Sequence, residues 1–183
     1  DATQTGLNTN YSVSLGSITK YVTITSQSGK VNTYSFKVIR NASTNANITN
    51  IVPSTGTLDP KFDINTKQYN MAVEGSISSI NFNVTTEDAN ATVTGNSNLT
   101  LSEGNNNIEI VITAEDGVTK NKYNIVVYRK INIKGITIDD VIDVPIGEQY
   151  PLVVSYIPEN TDYKSVTYKS SDTSIFTIDT TGN

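Results

Sequence analysis

Apolar and polar residues alternate along most of the chain, a period-2 pattern that predicts β-strands with one buried face. The clearest case is Ile108, Ile110 and Ile112, which continue beyond a turn at Gly117 into Tyr123, Ile125 and Val127. Two such runs joined through a glycine turn predict a β-hairpin. Shorter runs before it predict strands at residues 48–52, 69–73, 80–84, 91–94 and 99–101. Turn signals every eight to twelve residues between short strands are the pattern of a β-sandwich. No window sustains a 3.6-residue period, so almost no helix is expected.

The hairpin pattern occurs twice. ITSQSGKVNTYSFKVIR (24–40) and ITAEDGVTKNKYNIVVYR (112–129) share I-T-x-x-x-G, a Tyr, an alternating run and a final Arg. The offset is 88 between Gly29 and Gly117 and 89 between Tyr34 and Tyr123 or Arg40 and Arg129, so one inserted residue separates the copies. A period of this size marks repeated domains, since solenoid repeats run about 20–50 residues. The pattern therefore predicts the C-terminal part of one sandwich at 1–40, a whole sandwich at 41–130, and the N-terminal part of another domain at 131–183. The last is expected to place strands at 133–138, 152–156, 166–168 and 175–178. The polar linker 41–47 is expected to be semi-flexible, and the apolar one at 129–135 to run directly into the next domain.

Composition narrows the chemistry. The 183 residues include no Cys, His or Trp, which removes the usual ligands for zinc and the commonest acid–base and nucleophilic groups. A net charge of −5 argues against nucleic acid, which needs a basic surface. No stretch is long and apolar enough to insert into a membrane. No cofactor is expected.

In the central segment, Gly56-Thr-Leu58-Asp-Pro60-Lys-Phe62-Asp63 with Tyr69 is followed by Leu101-Ser-Glu-Gly104 through Ile108, Ala114-Glu-Asp116-Gly117, and Tyr123 through Arg129. These motifs resemble the bacterial cadherin-like β-sandwich domain. In the last segment, Val166-Thr-Tyr168-Lys-Ser170-Ser171-Asp172 and the turn at Tyr156-Ile-Pro158-Glu-Asn160 resemble the group 2 bacterial immunoglobulin-like domain, with Tyr168 at the place of that family's usual Trp. The resemblances imply an all-β chain of tandem sandwiches in a bacterial surface protein, outside the cell or on its wall, and the absence of cysteine points to a Gram-positive source.

Candidate sites weigh against this background. Asp59, Asp63 and Asn65 offer oxygens to a cation, but the spacing lacks a closing bidentate acid and Lys61 and Lys67 interrupt it; Asx-type turn caps are the expected role. The clusters Glu87–Asp88 and Asp139–Asp140 with Asp143 are weaker cation candidates. Adjacent acids such as Glu115 and Asp116 do not oppose each other across a cleft, so no catalytic residue is expected. Tyr150 and Tyr163, in hydrophilic turns, are the candidate contacts for a carbohydrate or protein ligand. The expected function is a non-catalytic stalk, spacer or adhesion segment whose partners are neighbouring domains of the same chain or neighbouring copies in a surface assembly. An accessory carbohydrate- or protein-binding module of a secreted multimodular enzyme is the alternative.

Overall fold

The computed structural model describes residues 3–5, 13–138 and 143–183. Among them are thirteen strands and no helix. The first sheet contains β1 (Thr3–Thr5), β2 (Gly16–Thr25) and β3 (Val31–Arg40), antiparallel in that order. The central segment contains β4 (Ile48–Pro53), β5 (Gln68–Val73), β6 (Ser79–Ile80), β7 (Phe82–Thr86), β8 (Thr92–Thr94), β9 (Leu99–Thr100), β10 (Gly104–Thr113) and β11 (Lys120–Arg129). Each central strand falls on a predicted alternating run.

One layer of the sandwich is the sheet β5-β11-β10-β8, and the facing strands pair as β4 with β7 and β6 with β9. β5 runs parallel to β11, which the long crossover between them permits. Alternation does the packing: Tyr69, Met71 and Val73 on β5, Ile108, Ile110 and Ile112 on β10, and Tyr123, Ile125 and Val127 on β11 all point inward. Ile48, Ile51, Ile80 and Phe82 oppose them from the other layer, closing a single core. The buried apolar residues of the described chain all lie between Ala46 and Val127.

The stretch from Gly56 to Asn70 opens this sandwich. Leu58 and Tyr69 are buried, Phe62 packs on the core and stacks on Tyr69 with ring centroids 6.3 Å apart. The Tyr69 hydroxyl lies 2.8 Å from the Asp63 carbonyl and 3.0 Å from that of Thr66, so it ties the loop down, and burial raises its pKa. Gly56 takes a left-handed backbone conformation (φ 74°), which strains any other residue, and a side chain there would crowd Met71 and the Ala72 carbonyl.

The repeat is exact in register. β2 pairs with β3 from Gly16↔Arg40 to Thr25↔Val31, as β10 pairs with β11 from Gly104↔Arg129 to Thr113↔Lys120. The inserted residue lies in the turn: Ser26 N–H bonds to Lys30 O in the first copy, and Ala114 N–H to Thr119 O in the second. The repeat also reaches one strand further upstream than the sequence comparison found. β1 pairs with β2 at Thr3↔Thr25 and Thr5↔Thr23, matching β8 on β10 at Thr92↔Thr113 and Thr94↔Val111; the sequences ATQTG (2–6) and ATVTG (91–95) carry that match.

The C-terminal segment departs from expectation. Among its described residues it forms β12 (Gly135–Thr137) and β13 (Ser155–Ile157), paired antiparallel, and no other strand. No strand forms at 166–168 or 175–178, where Ile175 and Phe176 are exposed. An alternating run becomes a strand when a ladder partner and an apolar layer receive it, and among the described residues no ladder partner pairs with these runs.

Candidate functional site

Polar chemistry concentrates where the central sandwich meets its two neighbours. Linker 41–47 is not loose. Ser43 N–H donates to Glu115 Oε2 at 3.0 Å, and Arg40 Nη2 donates to the other oxygen at 2.8 Å. Asp116 N–H returns a bond to the Ser43 carbonyl at 3.1 Å. Asn45 and Asn47 each donate a side-chain amide to Glu87 Oε2 at 3.1 Å, and Ala46 is buried in the core. The expectation of a semi-flexible linker fails here, because its small polar side chains cap one another and the sandwich instead of water. The Ser43 amide, then Arg40, hold the Glu115 carboxyl below the usual range.

The second junction repeats the device. Asp162 accepts from Ile131 N–H at 2.7 Å and from the Tyr128 hydroxyl at 2.8 Å, and the Ile131 amide is the main cause of its lowered pKa. Each linker is thus clamped by a carboxylate from the following segment. That carboxylate accepts one linker amide and one side chain from the end of the preceding strand. Charge-assisted bonds of this kind are about twice as strong as neutral ones.

Gly75 is the hub of the second junction. Its carbonyl accepts from Arg129 Nε (3.0 Å) and Nη2 (2.7 Å) and from Asn132 Nδ2 (2.9 Å). Its N–H donates to the Tyr163 hydroxyl at 3.0 Å, which lies 2.7 Å from Glu74 Oε2. Lys130 pairs with Glu74 at 2.7 Å and depresses its carboxyl; Glu103 accepts Asn132 N–H at 3.0 Å and lies 3.6 Å from Lys134. Arg129 Nη1 also donates to Leu101 O at 2.8 Å. No side chain fits at Gly75 without displacing the Asn132 amide.

The structure distributes the candidate residues as follows. Tyr163 sits in the second junction with its hydroxyl engaged, and Tyr150 is a partly exposed residue elsewhere. Asp63 accepts Asn65 N–H at 2.8 Å, an Asx turn, while Asp59 pairs through its backbone with Asn70. Asp88 caps Asn90 N–H; Asp139 and Asp140 lie outside the described residues. Glu115 and Asp116 part company: the second accepts Val118 N–H, Thr119 N–H and the Thr119 hydroxyl inside the Gly117 turn. Ser170 is buried and accepts Asp172 N–H, whose carboxylate in turn caps Ser174; Ser171 is exposed. Among the described residues no group of three acidic side chains gathers as a cation site would require.

A shallow, open depression on the outer face of the main sheet is lined by Gln68, Asn70, Asn107, Glu109 and Asn124. Tyr69 borders it but is buried, so no ring face is offered to a sugar. The junction residues Glu74, Gly75, Glu103 and Asp162 escaped the sequence reading. Only Arg40 and Arg129 signalled a shared role, by ending both repeats.

Residues 43–130 match the family model of the cadherin-like beta sandwich domain. The match begins at the clamped Ser43 and ends at Lys130, so it takes in the whole apolar core and stops at the second junction. This cadherin-like family is a non-enzymatic fold family. A protein of Evansella cellulosilytica, named only as a membrane protein, is 37% identical over 100 residues, covering 49% of this chain. The chain spans about 15% of that relative's length. Among the described residues no helix is long and apolar enough to cross a membrane.

Proposed function

We propose that the chain is a non-catalytic structural segment, a spacer or stalk of stacked β-sandwiches in a larger extracellular bacterial surface protein. The observation that carries this reading is the repeated clamp: Glu115 on the Ser43 amide and Asp162 on the Ile131 amide. A linker whose backbone is bonded to the next segment transmits orientation and force, as a spacer requires and a tethered binding module does not. In this reading residues 1–40 belong to a preceding cadherin-like sandwich and 131–183 to a group 2 immunoglobulin-like domain. Adhesion is then a property of what the stalk presents.

The test is segmental motion. ¹⁵N relaxation of the 183-residue chain should give one rotational correlation time for the amides of β2–β3 and β10–β11. Separate, shorter correlation times for the two hairpins would overturn the spacer reading. A glycan array probed with the same chain should stay blank, and specific sugar binding would restore the accessory-module alternative.

A further inference from the structure

The chain enters and leaves the central sandwich at opposite ends. β4 starts beside the first junction, where the Ala46 carbonyl accepts from Asn121 Nδ2, at the head of β11, at 3.1 Å. It ends near Gly56, which lies against Met71, Ala72 and Val73 at the far end of β5. There β5 and β11 run parallel, with Val73 beside Arg129. The first and last strands therefore point the same way in different layers. Tension through the two linkers pulls them in opposite directions along their own axes. Ladder hydrogen bonds lie across that axis, so the pull shears them together instead of unzipping them one at a time.

At each end the chain is also bonded to both layers. In residues 43–47, Ser43 meets Glu115 and Asp116 in the β10–β11 turn, and Ala46 meets Asn121, all on the main sheet. In the same stretch Asn45 and Asn47 donate to Glu87, and the Asn47 carbonyl accepts Glu87 N–H at 3.0 Å. Glu87 directly follows β7 of the facing layer. At the exit, Arg129 donates to the carbonyl of Gly75, after β5, and to that of Leu101, after β9, which joins the layers again. Lys130 N–H adds a bond to the Val73 carbonyl at 3.0 Å. A bond to one layer would suffice to fix orientation; bonding to both spreads a pull over the whole core.

We propose that residues 43–47 and 129–132 are straps that deliver tension to both layers at once, so that the sandwich resists pulling as one block and neither β4 nor β11 is stripped from it first. The packing agrees: Ile48 and Val127, near the two straps, are 0% exposed, so neither terminal strand slides without opening the core. The inference rests on the spacer reading, yet the two fail separately, because a segment that holds its neighbours rigidly at rest can still peel under tension.

Constant-force optical tweezers test it, with DNA handles on cysteines replacing Ser28 and Thr173 in the 183-residue chain, which has no native cysteine. Residues 43–130 should come apart in a single step of roughly 300 Å, at about 3.3–3.6 Å per residue. A shorter first step that frees β4 or β11 alone would overturn the proposal. Glu87→Ala combined with Glu115→Ala cuts the entry strap. It should shorten the folded lifetime at the same force about tenfold or more, the factor expected for losing a charge-assisted hydrogen bond at the transition state. Asn121→Ala, which loses the Ala46 bond without removing a charge, should shorten it less, and gives the reading if the double variant does not fold. Glu109→Ala, which breaks an exposed pair with Lys122, should change nothing. An unchanged lifetime in the strap variants, or an equal loss in Glu109→Ala, overturns the proposal.

Discussion

Replacing Ile125 by alanine removes a side chain with no solvent exposure from the centre of β11, between Tyr69 on the neighbouring β5 and Ile108 on β10. Truncating a well-packed isoleucine costs about 2–5 kcal/mol, from lost transfer energy and the cavity left behind. For a domain of this size each kcal/mol moves Tm by roughly 4–8 °C, so a cost of about 3 kcal/mol lowers Tm by on the order of 12–24 °C. Phe36 occupies the same place in the first copy at 48% exposure, and Phe36→Ala should stay within about 0.5 kcal/mol, as surface substitutions do. Urea unfolding of the two variants of the 183-residue chain, followed by tyrosine fluorescence and circular dichroism, measures both. Equal losses would refute the reasoning, because the repeat would then bury both hairpins alike.

Three further outcomes follow from the geometry. Glu115→Ala should leave Tm of the central sandwich nearly unchanged while the Ser43 amide loses most of its hydrogen-exchange protection; retained protection would show that the clamp is not what holds the linker. Glu74, Glu103, Glu115 and Asp162 all have carboxyl pKa values depressed in the folded chain, so their contribution is fully present above the unfolded values, near 4, and fades as pH falls through the folded ones. Protection factors at Ser43, Ile131 and Asn132 should therefore be flat from about pH 7 to 5 and drop below about pH 4; a loss between pH 7 and 5 would contradict that sign. Gly95 has φ 77° and its missing side chain would run into the Glu109 carbonyl, so Gly95→Ala should cost at least about 1–2 kcal/mol, measurable by the same urea titration.

The central sandwich was legible because alternation and burial agree there. Ile108-Ile110-Ile112 and Tyr123-Ile125-Val127 each announce one face, and a partner layer exists to receive it. The motif residues Gly56, Leu58, Pro60, Phe62 and Tyr69 mark the loop that opens the fold, and Asp63 caps a turn within it. At 166–168 and 175–178 the same alternation produced no strand, since the pattern states a preference that only tertiary partners realise. The junctions were opaque for a different reason. Glu115 and Asp162 sit in polar turns, and nothing local tells a carboxylate that faces water from one that reaches a backbone amide 72 or 31 residues away. Linker 41–47 misled for the same reason: a run of Asn, Ser and Thr reads as solvated chain until its capping partners, Glu87 and Glu115, are known.

The central claim is that both junctions hold their neighbours in fixed orientation. With no native cysteine to compete, spin labels at Ser28→Cys and Thr173→Cys report across both junctions by pulsed electron resonance. The account predicts one narrow distance distribution, broadened when Glu115 and Asp162 are both replaced by alanine. A broad distribution in the unsubstituted chain, unaltered by those replacements, would contradict it.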